Sequence, residues 1–245
     1  MARSKVAVIR VRPDSILDDL DRLHRLAGMA LRPDLPTVIF ANASAQPFPG
    51  TSTTPWQLEG VARAVHGAKS IVGVLANDPI AARYGIAIAD PLQPLTDVNV
   101  VVLSTMNAKA LVAPKRVFRT QDCAGLFAVM DGTTAGDSTG PVVKDVMLAS
   151  TDPSALDAIA GSMMGIGHGD TSEIEVVGDR ALAMQRWGFT VGGGGLLDRL
   201  VARAPMLNDY RYQLRDRQVF EKWREQTAWG QLFDRYQSIG TLATT

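Results

Sequence analysis

Short runs of apolar, often β-branched residues alternate along this chain with stretches whose apolar residues recur at helical spacing. The runs do not alternate polar with apolar residues, which is typical of strands buried on both faces of a parallel sheet. Strands are predicted at residues 6–11, 37–41, 70–75, 99–103, 125–130, 142–148 and 173–177, and helices at residues 15–29, 55–65, 153–164 and 180–187. This order predicts an α/β fold with a layered, largely parallel or mixed sheet flanked by helices.

The last part of the chain differs in character from the rest. Residues 205–245 hold seven of the fifteen aromatic residues. Four large side chains there share one helical face, namely Trp229, Leu232, Phe233 and Tyr236. We therefore expect a helical extension to an α/β domain of residues 1–204. Its aromatic face has to be covered by the domain itself or by a second copy of the chain in a homodimer.

Charge and cysteine content exclude several classes of protein. The 25 basic residues balance 25 acidic ones, so no overall basic field attracts nucleic acid or an anionic membrane surface. No apolar stretch reaches the roughly 18 residues that a membrane span needs, and we expect a cytoplasmic protein. Cys123 is the only cysteine, which excludes an internal disulfide, a cysteine-ligated zinc site and an iron–sulfur cluster held by this chain alone.

Aspartates are concentrated in residues 121–170, which hold seven of them, no glutamate and one lysine. Asp131 directly follows an apolar run, so we expect it at the carboxyl end of a strand, where open α/β sheets bind ligands. Asp157 points away from the apolar face of its predicted helix, towards solvent or a second surface. Asp152 precedes Pro153 at a helix start, where aspartate also serves as an N-cap. The three could form a catalytic carboxylate cluster, or could be cap and turn residues.

His168 and a divalent cation are the candidate helpers of such a cluster. His168 lies in a glycine-rich loop that could bring its imidazole to the site as an acid–base partner, although an isolated loop histidine often has no such role. Asp131 and Asp157 are the candidate metal ligands, because carboxylate oxygens bind hard divalent cations. The metal itself stays unassigned, since no histidine pair has metal-binding spacing.

A loop between a predicted strand and a predicted helix is the candidate binding site for an anion. Asn42 closes the strand, and residues 48–55 combine one glycine with four hydroxyl side chains. Helix N-termini present free N–H groups and a positive dipole end, so Thr53 and Thr54 are expected to bind a carboxylate or phosphate. Thr54 and Gln57 also match a capping box, and such caps occur without ligands.

Motifs within about residues 5–180 follow one another in a recognisable order. The most specific is Leu-Ala-Ser-Thr-Asp-Pro-Ser-Ala-Leu-Asp-Ala at residues 148–158. Others are the asparagine-ended strand at residues 38–42, the Gly-Thr-Ser-Thr-Thr-Pro segment at 50–55, the Met-Asp-Gly turn at 130–132 and the Gly-Pro pair at 140–141. This order resembles an uncharacterised family known as domain of unknown function 362. The resemblance implies an α/β fold and favours these residues as the site, but it assigns no reaction.

These observations lead to two hypotheses of different class. The first is an enzyme that acts on a small anionic metabolite by carboxylate acid–base chemistry, with or without a divalent cation, as an isomerase, lyase or hydrolase. Its catalytic residues would be Asp131, Asp152, Asp157 and His168, and its substrate-binding residues Asn42, Thr53 and Thr54. The second is a non-enzymatic ligand-binding or accessory protein that serves a redox or biosynthetic partner and docks through its aromatic extension.

Overall fold

The computed structural model describes residues 3–42, 50–73, 78–89, 97–107, 123–136, 140–166, 170–189 and 216–242. The strands in these ranges are β1 (Ser4–Arg10), β2 (Thr37–Phe40), β3 (Lys69–Val72), β4 (Ala87–Ile88), β5 (Asn99–Asn107), β6 (Gly125–Gly136), β7 (Pro141–Ser150) and β8 (Ile174–Gly178). The helices are α1 (Ile16–Ala27), α2 (Pro55–Ala64), α3 (Pro79–Arg83), α4 (Pro153–Met164), α5 (Arg180–Ala183), α6 (Arg217–Gln226) and α7 (Ala228–Leu242). In this described part of the chain, no helix is long and apolar enough to cross a membrane.

The eight strands form one sheet in the order β4-β3-β2-β5-β6-β7-β1-β8. The first five in that order run parallel to one another, and β1 runs parallel to β8. β7 lies between β6 and β1 and is antiparallel to both, so seven strands point one way and one points the other. The predicted α/β fold with a mostly parallel, mixed sheet is therefore confirmed.

Different helices cover the two faces of the sheet. One core contains Ile9 and Val129 and includes side chains from α1, α2, α3, α6 and α7. The other contains Val8 and Met130 and includes side chains from α4 and α5. Successive strand residues point to opposite faces, which is why Val129 and Met130 lie in different cores. Burial on both faces accounts for the continuous apolar runs in the sequence.

Helix α4 begins and ends where its sequence predicts. Asp152 caps it by accepting hydrogen bonds from the backbone N–H groups of Ser154, at 2.9 Å, and Ala155, at 3.2 Å. Gly165 follows its last residue with a φ of 78°. Glycine takes this left-handed conformation without the steric strain of a side chain, so the helix ends there.

Strand β6 is longer than its sequence predicts. The apolar run ends at Met130, but β6 continues to Gly136 because residues 131–136 stay buried and keep pairing with the antiparallel β7. A register shift between Gly132 and Thr134 interrupts that pairing. Asp131 therefore lies inside a strand beside this irregularity, and the expectation that it ends a strand was wrong.

Two short elements also differ from the sequence expectation. β4 has only two residues, Ala87 and Ile88, and lies in a stretch for which no strand was predicted. α5 ends at Ala183, before the predicted Trp187. Arg186 donates to the backbone carbonyls of Met184 and Gln185, both at 3.0 Å. The carbonyl groups that follow the helix therefore accept hydrogen bonds from a side chain.

The C-terminal helices α6 and α7 pack on the rest of the same chain. Trp229 of α7 is 1 % exposed, and its ring centroid lies 5.2 Å from that of Trp56 in α2. Trp229 Nε1 donates to Asp145 Oδ1 at 2.7 Å. Phe220 and Trp223 of α6 are buried in the same core. The aromatic side chains are thus covered within one chain, which is one of the two arrangements predicted from the sequence.

Replacing Trp229 by alanine tests how much this packing stabilises the fold. We expect Trp229→Ala to lower the free energy of unfolding by about 3–5 kcal/mol, because it leaves a large cavity against Trp56. Met184→Ala is the control, since Met184 is 76 % exposed and its removal leaves no cavity. Urea denaturation measures both, and similar midpoints for Trp229→Ala and the wild type would contradict the packing role.

Candidate functional site

Asp131 lies at a buried position next to the predicted anion-binding loop, of which the structure describes residues 50–55. These residues are called the binding loop below. The Asp131 side chain is 2 % exposed. Its Oδ2 accepts hydrogen bonds from the Thr54 hydroxyl, at 2.5 Å, and from Trp56 Nε1, at 2.9 Å. Its Oδ1 accepts the backbone N–H of Thr133 at 2.7 Å. These three donors fix the carboxyl group between β6 and the amino end of α2.

Burial and hydrogen bonding act on Asp131 in opposite directions. Removal from water raises the pKa of the Asp131 carboxyl, and the donors on Thr54, Thr133 and Trp56 lower it, with burial the larger effect. Among the residues that the structure describes, no lysine, arginine or histidine forms an ion pair with it. The net result is a carboxyl group that holds its proton to higher pH than an ordinary aspartate does.

Asn42 and Thr53 bind each other at the end of β2. The Asn42 backbone N–H donates to Thr53 Oγ1, and the Thr53 backbone N–H donates to the Asn42 carbonyl, both at 2.8 Å. Asn42 Nδ2 also donates to the Thr51 carbonyl at 2.7 Å. This set of bonds closes the binding loop and places Thr54 at the start of α2, next to Asp131.

The binding loop lies at a topological switch point, which is the place between β2 and β5 where the strand order changes direction. The chain leaves β2 towards β3 on one side and leaves β5 towards β6 on the other. The crevice between the carboxyl ends of such strands is the usual ligand site of open α/β sheets. Thr105 and Asn107 in β5 donate to the Gly50 carbonyl at 2.8 and 3.2 Å, so the loop is attached to β5 as well as to Asn42 at the end of β2.

The predicted capping box of α2 is not formed. Thr54 is the N-cap residue, but its hydroxyl makes no cap bond and donates to Asp131 instead. Gln57 Nε2 donates to the carbonyls of Ser104 and Val129, both at 2.9 Å, and so joins α2 to β5 and β6. An ionised Asp131 would itself be the anion at this helix terminus, because its carboxyl group lies against the N-cap.

A small cavity of about 30 Å³ adjoins Asp131. Hydroxyl side chains of the loop and of β5 and β6 line one part of it, and Phe220, Trp223 and Phe233 of the C-terminal helices line the other. Trp223 Nε1 donates to Thr134 Oγ1 at 3.0 Å, which attaches α6 to β6. The cavity has room for a water molecule and is far smaller than a metabolite site.

A larger cavity of about 360 Å³ lies at the opposite edge of the sheet, where β2 and β5 begin. His24, Thr37 and Asn99 are among its lining residues, and none of the residues predicted for the site lines it. Asn99 uses its side chain to hold residues 32–35 in place, by bonds to both backbone groups of Arg32. Ligands of open α/β sheets bind at the carboxyl edge, so the Asp131 region is the better candidate.

Asp152 does not join Asp131. Besides capping α4, its carboxylate accepts the Ser4 hydroxyl at 2.5 Å. It follows β7, whose last residue Ser150 is opposite Ala128, so Asp152 lies towards the beginning of β6, away from Asp131. These contacts are those of a helix cap that also attaches the start of β1, which is the structural alternative left open by the sequence.

Asp157 does not join Asp131 either. It lies on α4, whose core residues pack on one face of the sheet, whereas Asp131 contacts Trp56, which belongs to the core on the other face. Its Oδ1 is buried without a hydrogen-bond partner, and burial raises the pKa of Asp157 to about 7. The expected cluster of Asp131, Asp152 and Asp157 is therefore not formed.

The predicted metal ligands are separated in the same way. Asp131 and Asp157 lie on opposite faces of the sheet and cannot hold one ion between them. Within the described ranges, no group of three or more histidine, cysteine, aspartate or glutamate side chains is arranged to hold a metal ion. His168 lies outside the described residues, so its predicted acid–base role stays a prediction.

Sequence reasoning missed the partners that hold Asp131. Trp56 was predicted only as a helix residue, and its indole N–H reaches Asp131 across 75 residues of chain. Thr133 carried a usable signal, because an aspartate side chain commonly accepts the backbone N–H two residues ahead. Trp223 carried none, since its bond to Thr134 depends on where the C-terminal helices pack.

Comparison with known proteins gives no further identification. No family model, no curated protein and no solved structure matches the chain. The resemblance to domain of unknown function 362 therefore stays a prediction.

The half-buried side chain of Asp157, whose Oδ1 is shielded from solvent, gives stability a testable dependence on pH. Its pKa rises from an ordinary 3.8 to about 7 on folding, so between these values the folded chain keeps a proton that the unfolded chain releases. Stability must fall as pH rises through this window. We expect Asp157→Asn to melt a few degrees above the wild type at pH 8, and the difference to shrink as pH falls towards 4.

Asp170→Asn is the control for this titration. Hydrogen bonds from Ser172 lower the pKa of Asp170, so it is ionised throughout the window and the variant should not alter the slope between pH 5 and 8. Thermal melts across that range measure both variants. A difference between wild type and Asp157→Asn that stays constant with pH would show that Asp157 is not buried as described.

Proposed function

We propose that this protein is an enzyme that transfers a proton to or from a small anionic metabolite, with Asp131 as its acid–base residue. The observation that carries the proposal is a buried carboxyl group with no cationic partner among the described residues, on the strand next to the topological switch point of an α/β sheet and bonded to Thr54 of the loop at that point. Isomerase, lyase and hydrolase reactions all use such a group.

The protonation of Asp131 fits an acid that serves an anionic substrate. A carboxyl group that keeps its proton does not repel an approaching anion, and burial raises the pKa of Asp131 in this direction. Thr53 and Thr54 lie at the amino end of α2, where N–H groups and the helix dipole favour negative charge. The substrate's anionic group would bind there, and Asp131 would exchange its proton with a neighbouring atom.

Substrate access requires α6 to move. The cavity beside Asp131 has about 30 Å³, and its cover consists of Phe220 and Trp223 of α6 with Phe233 of α7. Breaking the bond from Trp223 to Thr134 and displacing α6 would open the site towards the binding loop. Closure over a bound substrate would exclude water, which strengthens electrostatic interactions within the site.

The accessory-protein alternative depends on an aromatic surface in the C-terminal extension that a partner could contact. Docking through the aromatic extension requires exposed aromatic side chains, but Phe220, Trp223, Trp229 and Tyr236 are each at most 8 % exposed. A metal-assisted version of the reaction has no set of ligands among the described residues. The proposal therefore keeps acid–base chemistry and does not include a metal.

Labelling from heavy water tests the proposed reaction without knowledge of the substrate. An extract of small metabolites is incubated with the protein in ²H₂¹⁸O, and label is followed by mass spectrometry. Isomerases and lyases that move protons incorporate ²H, and hydrolases incorporate ¹⁸O. We expect the wild type to label at least one anionic metabolite and Asp131→Asn to lower the rate by about 10²-fold or more.

Asp78→Asn is the matched control for this experiment. Asp78 caps α3 by accepting the backbone N–H groups of Ile80 and Ala81, and asparagine is an equally good cap. The control should label like the wild type. If no metabolite is labelled above the level of a protein-free sample, or if folded Asp131→Asn labels at the wild-type rate, the proposal fails.

The pH dependence of that activity offers a second test. The Thr54 hydroxyl lowers the pKa of Asp131, so Thr54→Val should raise it further. A hydrogen bond contributes about 0.5–1.5 kcal/mol, which corresponds to a shift of about 0.4–1.1 pH units in the limb of the profile that Asp131 controls. Thr37→Val, a buried threonine at the other edge of the sheet, should leave the profile unchanged. Identical profiles for Thr54→Val and wild type would contradict the role of Asp131.

A further inference from the structure

A groove of about 360 Å³ lies beside β8, the last strand of the sheet. Ile159 and Ser162 of α4, Val176 of β8 and Ala183 of α5 line part of it. α4 and α5 cover the face of the sheet opposite to the one that holds Asp131 and Trp56. The groove is therefore separate from the proposed acid–base site, and its volume is at the lower end of those that bind small molecules.

The charges that line the groove are unbalanced. Arg3, Arg180 and Arg186 line it, and Glu175 is the only acidic side chain among its described lining residues. None of the three arginines takes part in an ion pair found in the described part of the chain. A formal charge of +2 thus surrounds one concave surface in a chain whose net charge is zero.

Backbone carbonyl groups hold two of these arginines in position. Arg180 Nε donates to the Val176 carbonyl at 3.0 Å. Arg186 Nη1 donates to the Met184 and Gln185 carbonyls, both at 3.0 Å. A guanidinium carries five N–H donors, so each still has several for a ligand. Because the side chains are already fixed, a ligand that binds them orders less of the chain, which favours affinity.

Most of the other residues that line the groove are apolar, beside the hydroxyl residues Ser162 and Thr171. Ile159, Ile174 and Val176 contribute to it, and Met184, which is 76 % exposed, lies at its border. Exposed apolar surface beside positioned arginines suits a ligand with an anionic group and an apolar body. Guanidinium groups match the geometry of phosphate oxygens, and a phosphate monoester has a charge close to −2 at neutral pH.

We propose that this groove binds a small organic phosphate, with the phosphate on Arg180 and Arg186 and an apolar body against Val176 and Met184. Arg3 adds a third positive charge at the start of β1. Bonds from a guanidinium to a phosphate are charge-assisted and roughly twice as strong as neutral ones, and they provide the affinity. The apolar surface selects a phosphate monoester over inorganic phosphate.

Titration calorimetry with phenyl phosphate tests whether Arg180 and Arg186 bind the phosphate group. We expect saturable binding to the full-length wild type, and binding weaker by about tenfold or more for Arg180→Gln/Arg186→Gln, because the two substitutions remove the charge-assisted bonds to the phosphate. The control is Arg10→Gln/Arg22→Gln, which removes the same charge from exposed arginines outside the groove. Absence of saturable binding, or an equal loss in the control, would overturn the proposal.

A comparison of two anions tests whether the apolar side chains of the groove contribute to binding. Phenyl phosphate should bind the wild type more tightly than inorganic phosphate does, and Met184→Ser should weaken phenyl phosphate while leaving inorganic phosphate unchanged. Equal affinities of the wild type for the two anions would show that the groove attracts charge alone and would contradict the proposed ligand class. Asp131→Asn should not change either affinity, so this proposal and the proposed acid–base function can fail independently.

Discussion

The hydrogen bond from Trp56 to Asp131 joins the parts of this protein that are distant in sequence. It connects the first turn of α2 to β6, and the Trp56 ring also packs against Trp229, 5.2 Å away, and Tyr236, 6.3 Å away, in α7. Three segments of the chain therefore meet at one indole. Because Trp56 is fully buried, its N–H has to find an acceptor inside the protein, and Asp131 is that acceptor.

That arrangement leaves a carboxyl group where charge is unfavourable. Burial opposes ionisation of Asp131, and three donors favour it, but no cation among the described residues neutralises it. A purely structural acceptor for Trp56 and Thr54 could be an asparagine or a backbone carbonyl, neither of which costs desolvation of a charge. The acid–base role proposed for Asp131 would account for an ionisable group at this position, inside β6 and level with the carboxyl end of β5.

The fold was predictable because its determinants are local. Apolar runs mark the strands, and Asp152, Pro153 and Gly165 bound α4 with side-chain and backbone chemistry that depends only on near neighbours. The site was predictable only in part. The sequence analysis assigned Thr54 and Asp131 to one site as substrate-binding and catalytic residues, but their direct contact across 77 residues depends on the order of strands in the sheet. The sequence interpretation grouped Asp157 with Asp131 because both lie in one aspartate-rich segment, although the segment passes from one face of the sheet to the other.

The acid–base role proposed for Asp131 requires this residue to keep its proton above the usual pH range of an aspartate. Its carboxyl carbon can be followed by NMR during a pH titration of protein labelled with ¹³C at aspartate, with Asp131→Asn used to assign the signal. We expect the pKa of Asp131 to lie clearly above 3.8, the ordinary value. A pKa at or below that value would show that Thr54, Trp56 and Thr133 hold an ionised structural acceptor, and it would contradict the assignment of Asp131 as the acid–base residue.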